Sequence, residues 1–139
     1  MTTTKSFHQA RAIRTFEQWH CHADGDWEFE WKFKPDDVAF QGHFPQQSLL
    51  PGVFLLEMSQ RAAEFALLRN GFVRPRLLRV ERFRFFQPIM PGDVCVLKLD
   101  WESSLLNHSI QVGLLFEKLG ERVAQGRVTM VCGGAVDEL

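Results

Sequence analysis

Long apolar runs are missing from this chain of 139 residues. Nothing in it approaches the roughly 18 consecutive apolar residues that a membrane-crossing helix needs, which excludes a membrane span. The first 16 residues, MTTTKSFHQARAIRTF, are polar and hold no apolar core of the kind a signal peptide requires, so a cytoplasmic protein is expected. Excess positive charge is missing as well. Lys and Arg number 16 against 17 Asp and Glu, a formal net charge of −1, whereas gripping a phosphate backbone takes a net or clustered positive field. No nucleic acid partner is expected. Cysteine is scarce: Cys21, Cys95 and Cys132 stand far apart with no CxxC pair, which argues against a zinc site and a disulfide framework and for buried free thiols. His20, His22 and His108 also lack the spacing of a catalytic metal site, and no metal is expected.

What is present is apolar mass, 45% hydrophobic residues with 13 Phe, enough for one core and a single domain over 1–139. Residues 26–34, DWEFEWKFK, alternate Trp27, Phe29, Trp31 and Phe33 with Glu28, Glu30, Lys32 and Lys34, the period of a strand with one wet face. HADGD before it reads as a hairpin turn that pairs this strand with the run around Ile13 to Cys21. From 35 to 52, Gly42, Pro45, Pro51 and Gly52 break any regular pattern and predict a shaped loop.

VFLLEMSQRAAEFALLRNG has no internal proline or glycine and predicts a helix of about five turns that stops at Asn70-Gly71. Its apolar positions Val53, Leu55, Leu56, Ala62, Ala63, Ala66 and Leu67 predict a central helix covered on several sides. The runs RLLRVERFRFFQP, DVCVLKLDWE, SIQVGLLFEK and RVAQGRVTMVC then predict strands, and their short connectors predict an antiparallel meander. The fold class is α+β, one curved antiparallel sheet with one buried helix.

Candidate chemistry gathers in GHFPQQSLLPGVFLLE, residues 42–57. Pro51 suits a first helical turn, whose early amides, that of Gly52 included, lack intrahelical partners and can hold a negative oxygen. Glu57 lies about one and a half turns further on, and its neighbours Leu55, Leu56 and Met58 predict a desolvated carboxyl that holds its proton. His43 supplies an imidazole, the side chain type that can accept a proton near neutral pH. A base, an acid and free amides are the parts that β-elimination beside a thioester carbonyl requires.

The pattern GHFPxxxxxPGVxxxE, here Gly42, His43, Phe44, Pro45, Pro51, Gly52, Val53 and Glu57, resembles the active-site segment of the FabZ-type 3-hydroxyacyl-[acyl-carrier-protein] dehydratases. Phe83, Pro88, Ile89, Pro91, Gly92 and Asp93 look like a second strand segment of that family, and the resemblance covers about residues 38–132. It implies the hot-dog fold, a sheet wrapped round one long helix, with homodimers joined edge to edge that can assemble further and share their active sites. It implies that His43 removes the α-proton, that Glu57 from the other copy assists loss of the β-hydroxyl, and that the Gly52 amide binds the thioester oxygen. No cofactor is implied beyond the phosphopantetheine arm of the acyl carrier protein that brings the substrate.

Arg74, Arg76 and Arg79, followed by Arg82 and Arg84, are candidates for docking that acidic carrier, the alternative being a solvated strand face with Glu81 as partner. Phe83, Phe85, Phe86, Trp101 and Phe116 are expected in the core before any acyl tunnel. Gln46 and Ser48 stand where the family usually carries glycine and proline, and Arg61 stands where glutamine is common. A Trp-rich hairpin replaces its LPHRxPFLLVD segment. These departures point toward dehydratases of specialised pathways, aryl polyene or polyketide. A hot-dog thioesterase, a CoA-linked hydratase and a non-catalytic acyl-binding subunit are the alternatives.

Overall fold

The computed structural model of the chain describes residues 16–34, 52–104 and 109–133. The strands are β1 Gln18–Cys21, β2 Trp27–Lys32, β3 Arg76–Phe85, β4 Val94–Ser104, β5 Ser109–Lys118 and β6 Glu121–Val131, and the helix is α1 Gly52–Arg69. They form one six-stranded sheet of order β1-β2-β4-β5-β6-β3. Every neighbouring pair is antiparallel. This is the expected hot-dog arrangement of one sheet and one helix.

The alternation in β2 holds residue by residue: Trp27, Phe29, Trp31 and Phe33 are buried while Lys32 and Lys34 are exposed. The hairpin before it closes through the His22 N–H, which donates to the Asp26 carbonyl at 2.8 Å. Gly25 takes a φ of 99°, a conformation glycine adopts without steric cost. Across this hairpin Trp19 stacks on Trp27 at 5.3 Å, and both meet the edge of Phe65 from α1.

The helix buries one stripe, Leu55, Met58, Ser59, Ala62, Ala63, Ala66 and Leu67. These positions recur at three- and four-residue steps, one face of a helix. The sequence predicted cover on several sides; in the single chain, Leu56 is only half-buried and Leu68 is exposed. The small side chains let α1 lie close to the sheet, and Ser59 satisfies its buried hydroxyl by donating to the Leu55 carbonyl at 2.8 Å. The predicted stop at Asn70-Gly71 is a Schellman cap, with Gly71 at a φ of 91°. The Phe72 N–H reaches the Leu67 carbonyl and the Gly71 N–H the Leu68 carbonyl, at 3.0 and 3.1 Å.

The meander is only partly correct. β4, β5 and β6 follow it, but β3 pairs β6 and not β4, which takes β2 as its other neighbour. The turn after β3 shows why. Its PGD segment is clamped to the end of β2, the Phe33 N–H donating to the Asp93 carbonyl at 2.8 Å and the Gly92 N–H to the Phe33 carbonyl at 2.5 Å. Asp93 also accepts the Met90 N–H and pairs with Lys118, each at 2.7 Å. The chain thus crosses from one edge of the sheet to the side of β2 before β4 begins.

The three thiols are free but not all buried: Cys95 is buried, Cys132 intermediate and Cys21 exposed. Cys21 lies on the four-residue edge strand β1, all of which is exposed. Burial pushes the Cys95 thiol up to about 12, so it carries almost no thiolate at neutral pH. Brief alkylation of the folded protein is expected to modify Cys21 and leave Cys95 intact until denaturant is added, as read by peptide mass spectrometry. Equal labelling of the two would contradict this packing.

Candidate active site at the start of the helix

Gly52 opens α1, so the amides of this turn have no intrahelical acceptors and sit at the positive end of the helix dipole. One side of the turn is occupied. The Phe85 ring of β3 lies so close that a β-carbon on Gly52 would stand 2.8 Å from its Cζ and 3.1 and 3.3 Å from its Cε atoms. On that side the space beside Gly52 is filled by a ring of the same chain.

Glu57 follows about 7.5 Å along the helix axis at 1.5 Å per residue. Its chain neighbours predicted an apolar setting, yet Leu55 and Met58 turn to the sheet while Glu57 shares its face with Gln60, Arg61 and Glu64. Arg61 Nη2 is 3.5 Å from Glu57 Oε2, and the two side chains are 25% and 32% exposed. Gln60 Nε2 donates to Glu64 Oε2 at 3.1 Å. Burial still holds the Glu64 carboxyl above its ordinary range, although Gln60 and Arg61 oppose it. Arg61, noted in the sequence only as a departure, is therefore the cation beside the candidate acid.

His43 lies outside the described residues, as do Gln46, Ser48 and Pro51. The candidate arginines lie on or before β3. Arg74 precedes the strand with a φ of 47°. Arg79 Nε donates to Glu81 Oε2 at 2.8 Å, which holds that carboxyl below the usual glutamate range. Arg76 and Phe85 bound the strand, about 30 Å apart at 3.3 Å per residue. Within one chain, the arginines and the helix start are therefore at opposite ends of β3. Of the expected core aromatics, Phe116 is fully buried, Phe83 and Trp101 pack partly against the core, and Phe85 and Phe86 are exposed.

On the opposite face of the sheet, a hollow of about 550 Å³ is lined by His22, Asp26, Lys98, Asp100 and Arg127 among others. Desolvation, then Asp24 and Asp100, raise the Asp26 carboxyl. None of the described candidate site residues lines it. Among the described residues, no cluster of three or more metal-ligating side chains occurs, and no helix is long and apolar enough to cross a membrane.

The ApeI-like family, described as ApeI dehydratase, matches residues 19–126. The chain belongs to that dehydratase family. It is also 39% identical over 107 residues to the 3-hydroxyacyl-[acyl-carrier-protein] dehydratase FabZ of Thermus thermophilus, an alignment covering 72% of each chain. The FabZ of Rhodopseudomonas palustris is 40% identical over 63 residues, 42% of each chain. Solved structures share the dehydratase's fold. The dehydratase heterocomplex ApeI:P from Xenorhabdus doucetiae matches with a TM-score of 0.66 at 24% identity, over 84% of this chain and 96% of that one. A hypothetical thioesterase from Streptococcus pneumoniae with coenzyme A matches with a TM-score of 0.66 at 15% identity, over 88% and 94%. At these identities both matches speak for the hot-dog fold alone.

Proposed function

We propose that this dehydratase converts (3R)-3-hydroxyacyl-[acyl-carrier-protein] to the trans-2-enoyl thioester. The observation that carries the reading is a carboxyl group one and a half turns beyond a glycine that opens the helix, both inside the span the dehydratase family matches. His43 takes the α-proton, and the C–H electron pair moves into an enolate whose oxygen the Gly52 amide holds. Glu57 delivers a proton to the β-hydroxyl as the C–O bond breaks, so water leaves and the double bond forms. The reaction is redox-neutral and draws on no cofactor beyond the phosphopantetheine that carries the acyl group. The protein works in the cytoplasm, in fatty acid synthesis or a specialised pathway.

Its active sites are shared between two copies joined along β3. That strand is a sheet edge with exposed Leu78, Val80 and Phe85, a surface suited to further pairing. A two-fold join of two such edges is antiparallel, so the Arg76 end of one copy falls beside the Phe85 end of the other. Arg74, Arg76 and Arg79 then flank the partner's helix start, where a carrier protein would present its arm. Because the ApeI neighbour was solved as a heterocomplex, a different dehydratase subunit is the second candidate for this edge.

The deciding assay incubates the protein with a panel of 3-hydroxyacyl carrier proteins, aryl ones included, and follows loss of water by mass spectrometry. Release of free acid instead would favour the thioesterase alternative, and no turnover the acyl-binding one. Neutralising Arg74, Arg76 and Arg79 together is expected to slow carrier-bound substrate more than a small thioester. Equal slowing would remove the docking role.

A further inference from the structure

The register of β3 against β6 contains two irregularities, one between Leu77 and Arg79 and one between Glu81 and Arg84, and the consequence of the second reaches the helix start. Val80 pairs with Val128 and Phe85 with Ala124, and both β6 partners are buried on the helix side of the sheet. Paired residues across an antiparallel ladder share a face, so Val80 and Phe85 lie on the same side although an odd step separates them. One extra residue between Glu81 and Arg84 makes this possible. Arg82 takes a left-handed φ of 51° there. Without this bulge, strict alternation would turn Arg82 and Arg84 toward the helix and Phe83 and Phe85 away.

Gly126 on β6 holds the irregular spacing. A β-carbon there would stand 2.9 Å from Phe83 Cα and closer still to the Phe83 ring, so only glycine admits the bulged strand. Phe83 packs partly into the core and meets Phe85 edge-on at 5.1 Å. Phe85 in turn lies against Gly52. A continuous series of contacts therefore runs from Gly126 through Phe83 and Phe85 to the first turn of α1.

We propose that Phe85, delivered by the Arg82 bulge, is a positioning residue that fixes the helix-start amide at Gly52 for the thioester oxygen. The proposal rests on the role given to Gly52 above and assigns the geometry of that amide to β3. A backbone donor must stay within a few tenths of an ångström of the developing oxyanion, and misplacement by about 1 Å costs on the order of a hundredfold in rate. The first turn of a helix has few bonds of its own to hold it. The Phe85 ring supplies a wall on one side. It is 51% exposed in the single chain, so truncating it leaves the buried core intact; because it also stands on the proposed dimer edge, Phe85→Ala is scored on protein that sedimentation velocity shows to be dimeric.

The test uses Phe85→Ala, Phe85→Tyr and Gly126→Ala in the full chain, with two readouts. In kinetics, Phe85→Ala is expected to lower kcat about tenfold to a hundredfold with KM within about threefold of wild type. Phe85→Tyr, which keeps a ring on the same Cα, is expected to recover most of that loss, and Gly126→Ala to move kcat in the same direction as Phe85→Ala. A rise in KM with unchanged kcat would make the ring an acyl contact and overturn the proposal, as would a Tyr variant as slow as the Ala variant. The second readout is independent of turnover: amide hydrogen exchange at Leu56, whose N–H closes the first helical turn onto the Gly52 carbonyl, is expected to quicken in Phe85→Ala while that at Asn70 stays unchanged. Unaltered exchange at Leu56 overturns the proposal even if the wild type is active. Faster exchange in a protein that releases no water sustains it while defeating the dehydratase reading.

Discussion

Glu57→Gln is expected to reduce formation of the 2-enoyl thioester by about a hundredfold to ten-thousandfold, the span over which a positioned proton donor acts, and His43→Ala by a similar factor. Glutamine keeps the shape of the side chain and removes only its capacity to deliver a proton. Its effect on folding is small, because Glu57 is partly exposed and its ion-pair partner among the described residues is Arg61, at 3.5 Å. Helical ion pairs at that spacing contribute about 0.3–0.5 kcal/mol. Loss of turnover with an unchanged melting temperature would therefore place the effect in chemistry. The measurement is single-turnover conversion of a carrier-bound 3-hydroxyacyl substrate, with circular dichroism as the fold control. Retained activity in either variant would defeat the assignment of acid and base.

The parts legible in the sequence were those fixed by local periodicity and punctuation. The aromatic alternation of β2, the length of α1 and its end at Asn70-Gly71 are set by short-range geometry, and the structure agrees with each. Two features were hidden because they depend on partners remote in sequence. The pairing of β3 with β6 follows from the PGD turn docking on Phe33, an interaction between segments some 60 residues apart. The setting of Glu57 was misjudged for a simpler reason: residues adjacent in sequence point about 100° apart on a helix, so Leu56 and Met58 say little about what the carboxylate meets. Arg61, four residues on, was the informative neighbour. The Phe85 ring against Gly52 could not be foreseen either. Alternation counted from Val80 would turn Phe85 away; β3 carries two register shifts, and the second, at Arg82, brings Phe85 back to the helix side.

Adding charge to the β3 edge is expected to have the second large effect. Leu78 and Val80 are 55% and 39% exposed in the single chain, an apolar pair on the strand that ends the sheet among the described residues. Leu78→Glu with Val80→Glu would bring two carboxylates into any interface formed there. Burying an unpaired ion costs several kcal/mol, and each 1.4 kcal/mol weakens association about tenfold, so the dimer constant should weaken by at least about a hundredfold. Sedimentation velocity is expected to show monomers for the double variant, and turnover should fall with the dimer because the proposed site takes His43 and Glu57 from different copies. Leu119→Glu adds charge at the tip of the β5–β6 turn, where the side chain is 98% exposed, and is expected to leave both dimer and turnover unchanged. A double variant that is monomeric yet fully active would show that each chain holds a complete site. One that stays dimeric would move the interface away from β3, and the Arg76 end would then lose its path to the partner's helix start.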